Sequence, residues 1–170
     1  ESRFRVLKRR FYIQMEYQSH TLREIIQQRN YNLNCNESLS EQQCLRWTKD
    51  LTFALEVIHS KKIIHRDLSS NNVFVTTDDT APLKIGDFGL SLHETKLRKA
   101  QDYLQHYQGQ ELYIAPELEE NFNQVSFKSD IYSLGLIFIE IWIPFHSEME
   151  RVLTLKNPNQ TFEINKQIIK

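Results

Sequence analysis

The decisive stretch is Ile63-Ile64-His65-Arg66-Asp67-Leu68-Ser69-Ser70-Asn71-Asn72-Val73-Phe74-Val75, followed by Leu83-Lys84-Ile85-Gly86-Asp87-Phe88-Gly89. Ile63-Ile64, Val73-Phe74-Val75 and Leu83-Lys84-Ile85 are short apolar runs of strand type. Thr76 to Pro82, rich in Asp, Thr and Pro, reads as the turn between the last two. Two polar loops are thereby anchored by strands, one bearing Asp67 and Asn72, the other Asp87. Anchored loops are where reactive side chains are held.

Upstream, Ser40-Glu41-Gln42-Gln43 has capping-box spacing. Cys44, Trp47, Leu51, Ala54, Leu55 and Ile58 then recur at helical intervals up to His59, which predicts a helix whose stripe is core. Thr21-Leu22-Arg23-Glu24 is a second capping box, opening a short helix with Leu22, Ile25 and Ile26 on one face. Asn30 to Asn36 reads as a loop and Phe11 to Tyr17 as a strand. The basic cluster Arg3, Arg5, Lys8, Arg9 and Arg10 reads as a solvated flank, with a docking patch as the lesser alternative. Downstream, Gly89 to about Glu111 reads as a mobile loop. From Asp130 to Trp142 the chain is apolar on nearly every side, which predicts a helix enclosed by protein and ended by Pro144. Met149 to Leu155 fits one more short helix.

With 170 residues, 40% hydrophobic and 25% charged, the chain is long enough for one domain with a core. Its net charge of −1 gives no electrostatic drive toward nucleic acid or an anionic membrane. No apolar run reaches the ~18 residues of a membrane span, and no secretory signal is visible. Cys35 and Cys44 form neither a disulfide framework nor a zinc site, so reduced thiols and a cytoplasmic location are expected. The chain starts at Glu1 rather than Met, and a fragment or processed product is expected.

Ala115-Pro116-Glu117 completes an ordered set with His65-Arg66-Asp67-Leu68 to Asn72 and Asp87-Phe88-Gly89. The set resembles the protein-kinase signatures H-R-D-L-x-x-x-N, D-F-G and A-P-E. The resemblance implies an α+β fold like a kinase C-terminal lobe, mainly helical with short strands and with most of the N-terminal lobe absent. Residues 1–18 would be the last N-lobe strand and the hinge, and residues 19–170 a C-lobe without its final helices. It implies ATP and Mg2+, with Asp67 as the base beside the acceptor hydroxyl and Asn72 and Asp87 as the metal-holding residues. Arg66 would meet a phosphorylated activation-loop residue. His65 and Phe88 would pack rather than react, beside Gly89. Asp130 would hold the catalytic-loop backbone, with Gly135 following at the family's spacing, and Glu117 would pair with a late arginine. Met15 resembles the gatekeeper. The backbone of Glu16 and Gln18 would meet the adenine edge, with Phe74 beneath the ring.

Phe11 to Tyr17 with Thr21-Leu22-Arg23, and Ser133 to Glu140 leading to Pro144-Phe145-His146-Ser147-Glu148-Met149-Glu150-Arg151, resemble the kinases of the translation initiation factor 2 alpha subunit. That narrower resemblance implies a protein substrate, the initiation factor's alpha subunit, docked on Ser147, Met149, Glu150 and Arg151. A kinase homodimer is a further implied partner.

Departures from the family pattern bear on activity. The four glycines are Gly86, Gly89, Gly109 and Gly135, so no glycine-rich phosphate loop precedes the hinge. Lys8 lies seven residues before Met15, too close to serve as the ATP-pairing lysine. Ser69 stands where serine/threonine kinases usually carry Lys, and Gln110 where they carry Thr. Thr95, Tyr103 and Tyr107 read as loop residues, with phospho-acceptor as the lesser alternative. Two functions remain open: an active serine/threonine kinase, whose 170-residue portion alone transfers no measurable phosphate, and a catalytically silent decoy or pseudokinase that binds and inhibits a relative.

Overall fold

The structure is a computed structural model and describes residues 16–31, 39–76, 81–96, 110–121 and 124–158. Its architecture is α+β, with helices predominating, among the described residues, over five strands of two or three residues. In chain order these are β1 (His20–Thr21), α1 (Leu22–Tyr31), α2 (Glu41–Ser60), β2 (Ile63–Ile64), β3 (Val73–Val75), β4 (Lys84–Ile85), β5 (Leu92–His93), α3 (Pro116–Glu120), α4 (Phe127–Trp142) and α5 (Glu148–Lys156). None of the described helices is long and apolar enough to cross a membrane.

The helix starts are chemically explicit. Thr21 Oγ1 accepts from Glu24 N at 3.2 Å while Thr21 N donates to Glu24 Oε2 at 2.8 Å, the full reciprocal box at the head of α1. Ser40 Oγ accepts from Gln43 N at 3.2 Å. Ser126 and Ser129 form a second reciprocal box that starts α4 at Phe127, three residues before the expected Asp130. Ser147 Oγ accepts from Glu150 N at 3.1 Å and opens α5.

Two small antiparallel sheets frame the loops. β3 lies between β1 and β4, with Thr21 opposite Phe74 and Val73 opposite Ile85. β2 pairs with β5, with Ile64 opposite Leu92. The core joins Leu22 and Ile26 of α1, Trp47, Leu51 and Leu55 of α2, and Leu136, Ile137 and Ile141 of α4 with Phe145 and Leu155. Each such side chain contributes about 1.5–3 kcal/mol on burial, so α4 is the piece around which the other helices assemble. A smaller cluster of Ile64, Ala115, Leu118 and Val125 fixes α3.

Several sequence expectations need correction. α4 is not enclosed all round: Ile131 and Trp142 are about half exposed. Apolar composition measured the helix's mean hydropathy, but only its neighbours decide which sides are covered. The start of the supposed mobile loop is ordered, with a 3-10 turn at Phe88–Leu90, strand β5 and a second 3-10 turn at Glu94–Lys96. Polar composition hid β5 because its partner β2 lies about thirty residues upstream. Asn30 and Tyr31, read as loop, close α1. Of the strand expected at Phe11–Tyr17, residues 11–15 lie outside the described residues, and Glu16 and Tyr17 are not in a strand. Cys35, Gly109, Tyr103 and Tyr107 also lie outside them.

Candidate active site

The loop from His65 to Asn72 is pinned at its head by one buried acid. Asp130, in the first turn of α4, is 1% exposed. Its Oδ2 accepts from His65 N at 2.9 Å and its Oδ1 from Arg66 N at 2.9 Å. His59 Nε2, from the end of α2, sits 2.8 Å from Oδ2. These bonds hold Arg66 at φ 71°, a left-handed conformation that costs a non-glycine residue about 1–2 kcal/mol. The bend delivers Asp67 to the open side of the loop.

Asp67 and Asn72 are joined directly. Asn72 Nδ2 donates to Asp67 O at 2.7 Å and to Asp67 Oδ2 at 3.0 Å. Asn72 therefore keeps its carbonyl oxygen as the acceptor for another group. Gln110 N donates to the other carboxylate oxygen, Asp67 Oδ1, at 3.4 Å, and Gln110 Oε1 accepts from Asn71 Nδ2 at 2.9 Å. Ser69 is fully buried, and its hydroxyl makes no hydrogen bond among the described residues. It points inward instead of supplying the charge that a lysine would place near Asp67.

Asp87 reaches the same neighbourhood through the sheet. Gly86 N donates to Asn72 O at 2.9 Å, one step beyond the Val73–Ile85 pair. Asp87 is exposed, has φ 58°, and accepts from Gly89 N through Oδ1 at 3.2 Å. The turn that follows brings Phe88 back over the loop, its ring centroid 5.0 Å from that of buried His65. His65 Nε2 lies 2.9 Å from Gly86 O. A Cβ on Gly86 would stand 2.7 Å from Phe74 Cε2, so the glycine is what lets β4 approach the Phe74 ring. His65 and Phe88 thus pack and tie the loop of Asp67 and Asn72 to the turn that begins at Asp87.

The remaining expected site residues divide. Phe74 is half-buried in β3. Glu16 pairs with Lys84 Nζ at 2.6 Å, and that hydrogen bond and charge hold its carboxyl below the usual range. Gln18 is half-buried just before Ser19, whose hydroxyl donates to Val75 O at 3.4 Å. Met15 lies outside the described residues. Glu117 opens α3, and among the described residues its side chain makes no ion pair with an arginine.

On α5, Met149 is 66% exposed, and Ser147 and Glu150 are exposed at its start. Arg151 corrects the expectation of a docking residue: it is 5% exposed and turned inward. Its Nε donates to Glu140 Oε1 at 2.6 Å, its Nη2 to Tyr113 OH at 2.8 Å and its Nη1 to Glu148 Oε1 at 2.7 Å. The helix turns only one face outward, and Arg151 shares the inner one with Leu155.

Glu140 was missed as a site-supporting residue. It is fully buried on α4, with Oε2 accepting from Tyr113 OH at 2.5 Å and Oε1 accepting from Arg151 and from Ser70 Oγ at 3.3 Å. Arg23 reaches both Glu140 and Glu148. Burial, then the neighbouring Glu140, pushes the Tyr113 phenol far above its ordinary range. Burial works against the Arg151 charge, but Glu140 and Tyr113 more than offset it and leave the guanidinium above its usual value. The signal that could have found Glu140 is an acid inside an otherwise apolar helix, which needs a partner wherever it is buried.

The protein kinase domain family matches residues 3–169. The chain is 33% identical over 162 residues to eIF-2-alpha kinase GCN2 of Arabidopsis thaliana, covering 86% of this chain and 12% of that protein. It is 39% identical over 134 residues to eukaryotic translation initiation factor 2-alpha kinase 3 of Rattus norvegicus, covering 73% of this chain and 12% of that protein. Identity to eIF-2-alpha kinase GCN2 of Schizosaccharomyces pombe is 32% over 167 residues, with coverages of 89% and 10%. The chain thus spans only about a tenth of the length of these relatives. A crystal structure of the yeast RNA Pol II CTD kinase CTDK-1 complex superposes with a TM-score of 0.61 at 27% identity, covering 75% of this chain and 38% of that one. With the Asp67 loop pinned by Asp130 and bonded through Asn72 to the strand end before Asp87, the chain belongs to the protein kinase domain family and resembles its eIF-2-alpha kinases.

Proposed function

We propose that this chain is the C-lobe part of an ATP-dependent serine/threonine kinase that phosphorylates the alpha subunit of translation initiation factor 2. The observation that supports the reading is the direct bond between Asn72 and Asp67, together with the backbone bond from Gly86, the neighbour of Asp87, to Asn72 O. Phosphoryl transfer asks the protein mainly for position and charge. Asp67, with its carboxylate held through both oxygens, orients the acceptor hydroxyl and takes its proton. Asn72, whose amide N–H is spent on Asp67, and Asp87, one of whose oxygens is spent on Gly89, each retain a hard oxygen. That donor set suits Mg2+, which binds through one or two protein oxygens together with substrate phosphates. Among the described residues there is no cluster of three or more His, Cys, Asp or Glu that would make a separate all-protein cage. Bound there, the metal supplies charge neutralisation at the phosphates. Phe74 would lie against the adenine, with Glu16 and Gln18 beside it. Met149, Glu150 and Ser147 offer the docking face on α5. Buried, unpaired Cys44 suits a reducing compartment, and we place the protein in the cytoplasm.

The inward Ser69 favours the second reading, a silent decoy that inhibits a relative. The retained set of Asp67, Asn72 and Asp87 weighs against it, since a decoy has no use for all three.

The test is transfer of γ-labelled phosphate from ATP to the alpha subunit by the protein carrying this chain, expressed whole. Asp67→Asn is expected to slow transfer by about 10²–10⁴-fold, and the isolated 170 residues to transfer none. Equal rates with Asp67→Asn would refute the enzyme reading. Dose-dependent inhibition of an active relative by the chain, without transfer, would favour the decoy.

A further inference from the structure

Two buried acids of α4 grip the same loop at opposite ends. Asp130 holds the backbone of His65 and Arg66. Glu140, ten residues on, reaches Ser70, which lies between Asp67 and Asn72. Ser70 Oγ is also 2.8 Å from Tyr113 OH, and Ser70 O accepts from Arg23 N at 2.9 Å. Arg151 closes the circuit by bonding both Glu140 and Tyr113 from α5. On the other side of that helix, Met149 and Leu153 are 66% and 52% exposed. Five segments of the chain therefore meet in one desolvated hydrogen-bonded knot. Such a knot has few alternative arrangements, because any member that moves leaves buried polar groups unpaired.

We propose that Glu140 and Arg151 are positioning residues that couple α5 to the loop bearing Asp67, so that a displacement of either is felt by the other. The idea rests on the kinase reading for its purpose, since α5 is the docking face there. Neither residue touches a reacting atom. Arg151 instead makes the outer face of α5 and the placement of Asp67 one mechanical unit, joined through Glu140, Tyr113 and Ser70. A protein seated on Met149 and Leu153 would then tighten the loop on which its own hydroxyl must dock.

Coupling of this kind is reciprocal, and reciprocity is the test. Amide hydrogen exchange, read by mass spectrometry on the whole chain, is compared for the parent, Arg151→Lys, Glu140→Gln and Ser70→Ala. Arg151→Lys keeps the charge but loses the fork that bonds Glu140 and Tyr113 together. It is expected to speed exchange of residues 69–72 and 111–113 by about fivefold or more. Ser70→Ala, made in the loop, is expected to speed exchange in Glu148–Lys156 by a similar factor. Exchange in α2 should stay unchanged in both. Lys156→Ala, exposed at the end of α5 and outside the docking face, should leave the loop at the parent rate. Changes confined to the mutated segment, or an equal rise across α2, would overturn the coupling. Should Glu140→Gln fail to fold, the Arg151→Lys and Ser70→Ala pair still decides. The exchange readout does not depend on phosphate transfer, so a negative result here leaves the kinase reading standing.

Discussion

Replacing Asp130 by Asn tests how the loop is held, and the cost can be worked from its bonds. The carboxylate accepts three hydrogen bonds, from His65 N, Arg66 N and His59 Nε2, at 2.8–2.9 Å. An Asn in the same rotamer retains one oxygen. Its NH2 group then confronts one of the two backbone N–H groups, donor against donor. A lost hydrogen bond to a charged acceptor costs about 1.5–3 kcal/mol, and an orphaned buried donor about 1–3 kcal/mol. The His59 contact survives in weaker form, so a net loss of about 3 kcal/mol is expected. Relaxation of Arg66 out of its left-handed conformation at φ 71° returns about 1 kcal/mol of that while moving Asp67 off station. With a urea dependence of about 1.5–2 kcal/mol per M, the unfolding midpoint should fall by roughly 1–2 M. Exchange at His65 and Arg66 should rise more than at Trp47. A midpoint shift under about 0.3 M, or amides of 65 and 66 as protected as before, would show that Asp130 does not hold the loop.

Three further outcomes follow from neighbouring geometry. A Cβ at Gly135 meets nothing within 4 Å on an exposed side of α4. Gly135→Ala should therefore raise stability by about 0.5–1 kcal/mol, seen as a higher urea midpoint; a lower one would show that the glycine is needed in the folded chain. Gly86→Ala drives a methyl to 2.7 Å from the Phe74 ring and should cost about 1–3 kcal/mol, with a shift of the Phe74 ring resonances; an unchanged midpoint and unmoved ring would contradict this packing. Tyr113 holds its proton in the folded state to higher pH than in the unfolded chain. Its contribution is thus complete below the ordinary phenol value of about 10 and is lost as pH rises above it. The urea midpoint of the parent should fall more steeply than that of Tyr113→Phe above about pH 10; parallel curves would contradict the shift.

What could be read from the sequence was local. The reciprocal box at Thr21 and Glu24, the buried stripe of Cys44, Trp47, Leu51 and Leu55, and the strands at Ile63, Val73 and Lys84 each lie within a few residues of their cause. The loops carrying Asp67 and Asp87 were legible because their spacing and flanking strands are themselves local. What stayed hidden depends on distant partners. Arg29, on the first helix, donates to Ile141 O at 2.7 Å, Glu140 O at 3.0 Å and Ile143 O at 2.9 Å. It supplies donors to carbonyls at the end of α4, where the helix runs out of its own N–H partners. No periodicity announces an arginine buried against a helix more than a hundred residues later. The same holds for Arg151, whose inward turn is decided by Glu140 rather than by its own helix. The exposure of Ile131 and Trp142 was misjudged for the converse reason: a sequence states how apolar a helix is, not which neighbours cover it.

Binding of a paramagnetic cation tests the central claim most directly. Mn2+ titrated into the isotopically labelled chain in place of Mg2+ should broaden the amide resonances around Asn72 and Asp87 first. Asp87→Asn should abolish that broadening while leaving the α2 resonances where they were. Broadening centred elsewhere, or an Asp87→Asn chain that responds like the parent, would contradict the assignment of Asp67, Asn72 and Asp87 to one phosphoryl-transfer centre.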